Sequence, residues 1–526
     1  MTACDVRPPD AGVREAVGQA LLSQRCVGLL RAAGVPTGRD LLSHALSEFL
    51  AGSASGPAPT GDGKSAGART VALPLTIADR GVVAIVGRDG RGRTRCWSML
   101  PVADGRFVHG TDNAVFGRWD ALLAVRPSGD WTVVPGHGGE IIPGRLDDHV
   151  ERLRAVALGE VRGPVQMDFD VSMACPSACS FCFSASYRLT RQEGRILDGD
   201  VMLALIRRWA ADGVRVVRFD GGGDPLTHPR LPEAISLCAE KDLRTAVLTA
   251  GDLLSDALLP TLLAARTYLR ISLNAARDTT RWQLHGQRLG RFPVSSILGV
   301  VGRLVRLRER EFGQDAAQLM PLGATSMIHP GNAAETAEIA RLARDTGFDH
   351  ISFRVVLGND HKVYFSEDQL ASLRAQFAEI GSSVTGTGFQ AFVPTRDLTD
   401  TGYVPSRFFK ACRASTHRAV VEVGSRPDRA AVVPCGRYRG EGYRAEEPDR
   451  PRVMFGELDA STTVADVHAS PHGRKLLATF PDACGDCIDR SANAMLERMS
   501  ELLRENPGTE FHPLRTSGAV EDTSYA

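Results

Sequence analysis

Lysine is almost missing from this chain. Among its 62 basic residues, Lys64, Lys241, Lys362, Lys410 and Lys475 are the only lysines; the rest are arginines. Acidic residues also number 62, so the formal net charge is zero. A neutral chain offers no general attraction to nucleic acid or to an acidic membrane surface. No apolar run is long enough to span a bilayer, and the polar N-terminus lacks a signal-peptide pattern. A reducing, cytoplasmic setting is therefore expected, which argues against disulfides among the 11 cysteines. The hydrophobic share of 43% is ordinary for a globular protein, so a sizeable core can be buried.

At 526 residues the chain has room for roughly three or four domains. Two helical patterns, around Val13–Leu30 and Arg39–Leu50, are split by Gly34-Val35-Pro36. A Gly/Ala/Ser/Pro stretch over 51–68 reads as a linker. Within it, Ala58 to Ser65 fits a relaxed phosphate-loop pattern. A working phosphate loop needs a buried strand before it and a helix after it, and neither pattern flanks this one. From Thr70 to Ile142 short strands alternate with turns, as at Val71–Ile77, 81–87, 93–99 and Trp131–Val134. His137 and Glu140 sit in a Gly-rich stretch that reads as an exposed loop rather than a metal site.

Residues 165–360 change character. Strand patterns at 167–173, 214–220, 244–250, 268–274, 322–328 and 351–356 alternate with helical patterns at 199–211, 229–240, 253–265, 294–311 and 333–346. Alternation at this spacing predicts parallel β/α units. A helix over 366–381 and a short strand over 388–393 follow.

Three cysteines, Cys175, Cys179 and Cys182, leave the first of these strands at spacings of four and three. Three soft thiolates on one short loop suit an iron–sulfur cluster with one iron left open. Structural zinc normally takes four ligands, and no further Cys or His lies in the loop, although a distant one would complete such a site. On spacing alone, cluster, zinc and unliganded thiols all stay open. A second set, Cys412, Cys435, Cys484 and Cys487, suits a closed four-thiolate site, iron–sulfur or zinc. Arg418–Val423 and Arg429–Val433 flank Ser425-Arg426-Pro427-Asp428, a hairpin signal that draws the flanks of Cys412 and Cys435 together. Cys4, Cys26, Cys96 and Cys238 read as small buried or free residues.

The C-x-x-x-C-x-x-C loop, with Phe181 before its third cysteine, resembles the signature of the radical S-adenosylmethionine (SAM) enzymes. Gly221-Gly222-Gly223-Asp224-Pro225, after the second strand, resembles that family's G-G-E-P segment, with Asp in place of Glu. Leu269 to Asn274 resembles its fourth strand, and His285-Gly286 with Gly290-Arg291-Phe292 the segment beyond, where many relatives carry Arg rather than His. The likeness covers about residues 165–360 strongly and 405–490 moderately; it does not reach the first 150. It implies an α/β fold: a partial (β/α)6 TIM-like barrel over 161–360, after an N-terminal α+β domain over 1–160. It also implies a small hairpin/helix iron–sulfur domain over 361–526.

The resemblance further implies a [4Fe–4S] cluster on Cys175, Cys179 and Cys182, with SAM on its open iron. Phe181, Gly222, Gly223, Asp224, Pro225, Ser272 and Asn274 are the expected SAM-side residues, a direct role for the shorter Asp224 being doubtful. The tail resembles the SPASM or twitch extension, which implies one auxiliary [4Fe–4S] cluster on Cys412, Cys435, Cys484 and Cys487, because no cysteine follows Cys487. A flavodoxin or ferredoxin would supply the electron that yields a 5′-deoxyadenosyl radical. No catalytic residue beyond the cluster ligands is assigned. Relatives of this kind modify peptides, or oxidise or epimerise aminocyclitol and sugar intermediates; the separate N-terminal module favours a peptide. A zinc-stabilised binding protein is the non-enzymatic alternative.

Overall fold

The computed structural model describes the strands between residues 71 and 134, and residues 150–161, 163–182, 184, 195–287, 290–356, 365–384, 388–393, 411–439, 453–479, 490–508 and 511–513. The helices expected before residue 51, the linker, the Ala58–Ser65 loop, His137, Glu140, Cys4, Cys26, Cys484 and Cys487 lie outside these described residues.

Strands β1 (Val71–Ile77), β2 (Arg80–Arg88) and β3 (Thr94–Val102) form an antiparallel sheet, with Cys96 in β3. Strands β4 (Arg106–Val108), β5 (Leu122–Val125) and β6 (Trp131–Val134) form a second. The main sheet begins with β7 (Gln166–Asp170), β8 (Val216–Asp220), β9 (Arg244–Thr249) and β10 (Tyr268–Ser272). It continues with β11 (Leu322–Ile328), β12 (His350–Val355) and β13 (Gln390–Phe392). All seven run parallel in sequence order, joined by helices that include Gly199–Ala211, Leu231–Glu240, Leu259–Ala264, Val294–Phe312 and Thr336–Thr346. The sheet stays open. Its parallel β/α units are those the alternation predicts, and its α/β partial-barrel form is the one the resemblance implies.

The period of two explains how each strand serves two faces. Met167 and Phe169, Val217 and Phe219, and Leu269 and Ile271 enter the large core shared with the helices. On the intervening positions Val216, Ala246, Leu248 and Tyr268 form a small cluster of their own. Prolines trim the helices: Pro232 and Pro260 sit in first turns, so the segments expected from 229 and 253 become helical at Leu231 and Leu259. Strand β7 stops at Asp170, because Val171 and Met173 bond instead to Leu197 and Arg195 and Ser172 bridges Ile196.

The expected hairpin forms as β14 (Arg418–Val423) and β15 (Ala430–Val433), followed by β16 (Gly456–Leu458). It does not stand apart from the barrel. Strand β14 lies parallel beside β7, Arg418 opposite Gln166 and Glu422 opposite Asp170, so the main sheet reaches ten strands. The chain's late residues also return to its early ones: β17 (Phe511–Pro513) pairs with β6, and the helix Arg490–Glu505 packs on Val150–Ala157. No described helix is long and apolar enough to cross a membrane.

A charged pair seals the β14–β7 seam. Asp168, fully buried, accepts from Arg418 Nε at 2.9 Å and from Gln166 Nε2 at 2.8 Å, and pairs with Arg218 on β8. Burial alone would raise this carboxyl's pKa, but Arg218 and Arg418 outweigh it and hold it below the ordinary value. A depressed carboxylate contributes stability above its unfolded pKa and loses it as pH falls through the folded value. Arg418→Met should therefore cost about 3 kcal/mol at neutral pH, the low end for a broken buried pair because Arg218 remains. Thermal melts at pH 7.5 and at about pH 3 check this: the gap from wild type should hold down to the ordinary carboxyl value of 3.8 and shrink below it.

Candidate active site at the C-terminal ends of the strands

The cysteine loop leaves the C-terminal end of β7, the end where β/α barrels carry their chemistry. Cys175, Cys179 and Cys182 are half-buried thiols, none in a disulfide. The loop is held on both flanks by backbone hydrogen bonds. On one side Gly223 N–H donates to Ser172 at 3.0 Å and Asp224 N–H to Ala174 at 2.8 Å. On the other, Ala178 N–H donates to the His285 carbonyl at 2.8 Å and Ser180 N–H to Leu284 at 3.0 Å.

Two glycines make these approaches possible. A Cβ on Gly223 would lie 2.2 Å from the Ala174 carbonyl oxygen, far inside contact distance. The missing side chain thus makes room for the loop's own backbone. Gly286, at φ +58°, would put a Cβ 2.6 Å from the Ala178 carbonyl oxygen. Only glycine adopts that backbone there without both strain and collision.

Asp224 faces the neighbouring strand end. Its carboxylate accepts from Thr249 Oγ1 at 2.7 and 2.9 Å, from Ala250 N at 3.0 Å and from Leu226 N at 3.0 Å. Burial raises its pKa to about 6 even against these donors. It ties β8 to β9, which fits the doubt about a direct role, and Pro225, also buried, opens the turn behind it. Ser272 ends β10 half-buried.

Asn274 is occupied by protein partners. Its Oδ1 accepts Met327 N–H at 2.8 Å, and its Nδ2 lies 3.3 Å from His285 Nε2. Met327's N–H fixes which end of the amide is the oxygen, so the NH2 end faces the ring. An NH2 group only donates, so Nε2 must be the bare nitrogen, and the ring proton sits on Nδ1. Burial, helped by Arg281, lowers the His285 pKa to about 3, which agrees with a neutral ring. Nδ1 lies 3.6 Å from Cys179 Sγ.

This tautomer bears on the metal. Nδ1 carries the proton, so His285 does not serve as a fourth ligand beside Cys179. Among the described residues no three His, Cys, Asp or Glu side chains are drawn into the tight cage a single ion needs. Three soft thiolates on one short loop are the donor set that a four-iron cluster with one open iron takes.

Several partners of the loop carry no sequence signal of their own. Ser177 Oγ donates to Asp252 at 2.7 Å, Gln287 Nε2 donates to both, and Arg281 pairs with Asp252. Phe181 packs between His285, edge to face at 6.3 Å, and His329 at 6.2 Å. Asp252 and His329 each follow a strand's C-terminal end, and that position was the one available clue.

Cys412 and Cys435 stand at one end of the hairpin. Cys412 N–H donates to Leu477 at 3.0 Å, and Cys435 packs beside Val433, Tyr438 and Leu476. Cys412 thus meets the helix Pro471–Ala478, and Cys435 packs on the same cluster as that helix's Leu476; the chain then runs toward Cys484 and Cys487, outside the described residues.

Gly223→Ala should displace the loop. Iron bound after anaerobic reconstitution should fall to less than half of wild type, with a lowered melting temperature. Full iron loading would show that the Gly223 contact does not govern the loop.

Comparison with known proteins agrees with this geometry. Residues 170–292 match the family described as the Radical SAM superfamily. The chain is 27% identical over 225 residues to the PqqA peptide cyclase of Gluconobacter oxydans (strain 621H), a match covering 41% of this chain and 58% of that protein. It is 26% identical over 133 residues to an S-adenosylmethionine-dependent nucleotide dehydratase of Lacinutrix mariniflava, covering 24% of this chain and 27% of that one. Less than two thirds of either relative is thus spanned. The crystal structure of Streptococcus suis SuiB bound to S-adenosylmethionine aligns over 70% of this chain and 80% of its own, at 15% identity and a TM-score of 0.45. Residues 170–292, which hold the three-cysteine loop, are thus a radical SAM domain.

Proposed function

We propose that this protein is a peptide-modifying radical SAM enzyme with one auxiliary cluster. The observation that carries the reading is the three-thiol loop at the end of β7, fixed on one side by Gly223 and Asp224 and on the other by His285. Cys175, Cys179 and Cys182 hold the [4Fe–4S] cluster. When bound and reduced, cluster and SAM supply a 5′-deoxyadenosyl radical that takes a hydrogen atom from the substrate.

The chain's own residues orient and shield. Gly222, Gly223 and Pro225 shape the rim beside the cluster, and Asp224 fixes that rim to β9. Ser272 offers a hydroxyl to SAM from the end of β10. Asn274 serves through His285 and Met327, its side chain being already engaged. Phe181 covers the loop between the two imidazoles and keeps water away. Cys412 and Cys435, joined by Cys484 and Cys487, would hold the auxiliary [4Fe–4S] cluster, which would supply an electron acceptor for oxidation of the substrate. A flavodoxin or ferredoxin supplies the initiating electron.

The peptide preference draws on the likeness to a peptide cyclase, which runs over 225 residues, a longer stretch than the superfamily match at 170–292. It also draws on the strands of residues 71–134, which form sheets apart from the main one and offer added surface of the kind a large partner needs.

The test is anaerobic. Reconstituted wild type should hold about eight irons, two cubanes, and release 5′-deoxyadenosine from SAM with dithionite. Cys179→Ala should release none. Cys484→Ala/Cys487→Ala should still release it, at about half the iron, but should yield no oxidised product from the substrate peptide. Release of S-adenosylhomocysteine alone from wild type would refute the radical reading. Full product from the folded double variant would refute the auxiliary role.

A further inference from the structure

We propose that His285 is a positioning residue that donates Nδ1–H to the Cys179 thiolate and thereby sets the reduction potential of the cluster on Cys175, Cys179 and Cys182. The inference rests on the cluster reading above.

The hydrogen bond is directed by the protein, and metal is not needed to explain it. Met327 N–H fixes the Asn274 amide, the amide fixes the ring's bare Nε2, and the remaining proton faces Cys179 Sγ at 3.6 Å, normal for N–H to sulfur. The Asn274 backbone is pinned as well, its carbonyl accepting Asn332 Nδ2 at 2.6 Å. The ring has little freedom to leave. Its own backbone N–H bonds to Arg281 at 2.9 Å, and its carbonyl receives Ala178 N–H from the cysteine loop itself. The close contact at Gly286 holds helix end and loop together. Phe181 lies across the ring, and His285 is 1% exposed, so water does not compete for the donor.

The consequence is electrostatic. An iron-bound thiolate keeps lone pairs that accept a hydrogen bond, and the bond strengthens as the cluster gains an electron and its sulfurs become more negative. A directed donor therefore stabilises the reduced form and raises the potential. A neutral donor achieves this without adding a charge beside the open iron. A cluster that must pass an electron to SAM gains ease of reduction and loses driving force, so one donor at one thiolate is a tuning element.

Three variants separate this role from packing. The Asn side chain places its NH2 near the position of the imidazole Nδ1, whereas Gln reaches the position of Nε2. His285→Phe keeps the ring and loses the donor. Redox titration of the reconstituted cluster, followed by electron paramagnetic resonance in protein also carrying Cys412→Ala and Cys435→Ala, reads the potential of this cluster alone. At a fixed reductant poise, His285→Phe and His285→Gln should be about tenfold less reduced than the parent, equivalent to about 59 mV for a one-electron couple. His285→Asn should stay near the parent value, and iron content should be unchanged in all three.

Equal potentials in parent and His285→Phe, with the cluster intact, would overturn the inference alone. So would a shift in His285→Asn as large as in His285→Phe. If His285→Phe fails to hold iron, the Gln and Asn pair decides by the same criterion. A wild-type protein that takes up no iron–sulfur cluster would remove the cluster reading first, and this inference with it.

Discussion

The cysteine loop has to keep three thiols in place without help from regular secondary structure, and everything around it follows from that requirement. Buried backbone groups must find partners, and a loop has no ladder of its own to provide them. Here the partners come from two neighbouring segments at the strands' C-terminal ends. Ser172 and Ala174 carbonyls accept N–H groups from Gly223 and Asp224, while Ala178 and Ser180 donate to His285 and Leu284. These approaches are closer than a Cβ would permit at Gly223 or Gly286. Thr249, Asp252 and Arg281 then fasten the two flanking segments to β9 and to the helix Asp278–Leu284.

Beneath the loop, the barrel strands carry charge inward. Asp168 and Asp170 on β7 face Arg218 and Asp220 on β8, and the tail contributes Arg418 and Arg439. Burial and the Asp220 carboxylate push the Asp170 pKa up against the pull of Arg439 at 2.7 Å. Burial works against Asp220 too, but Arg439 and Arg218 outweigh it and hold that group below its ordinary value. The guanidinium of Arg439 therefore balances two carboxylates at once. It follows Cys435 by four residues. The proposed auxiliary site and the lumen of the barrel thus share one short segment.

Much of this was legible in the sequence, and the exceptions have physical reasons. The helix Gly199–Ala211 and the strand Leu322–Ile328 agree with their patterns to the residue, the helix because its buried stripe writes a strong periodicity. The hairpin was legible from its turn residues. Its parallel register on β7 was not, since periodicity in one segment does not name a partner 250 positions away. The place of Cys175, Cys179 and Cys182 on a loop at a strand's end was legible from the strand pattern, whereas spacing alone leaves cluster, zinc and free thiols open. The roles of Gly223, Asn274 and His285 were not. Each depends on what lies across the fold: the Ala174 carbonyl, the Met327 amide and the Cys179 sulfur.

The central claim is that three thiols hold a cluster with one iron open to SAM. Electron paramagnetic resonance of the dithionite-reduced protein, with Cys412 and Cys435 replaced by Ala so that only the first cluster contributes, tests it most directly. On addition of SAM the spectrum should change in shape and g-values, as the open iron gains ligands. Identical spectra with and without SAM, or a colourless protein with tightly bound zinc and no signal, would contradict the account.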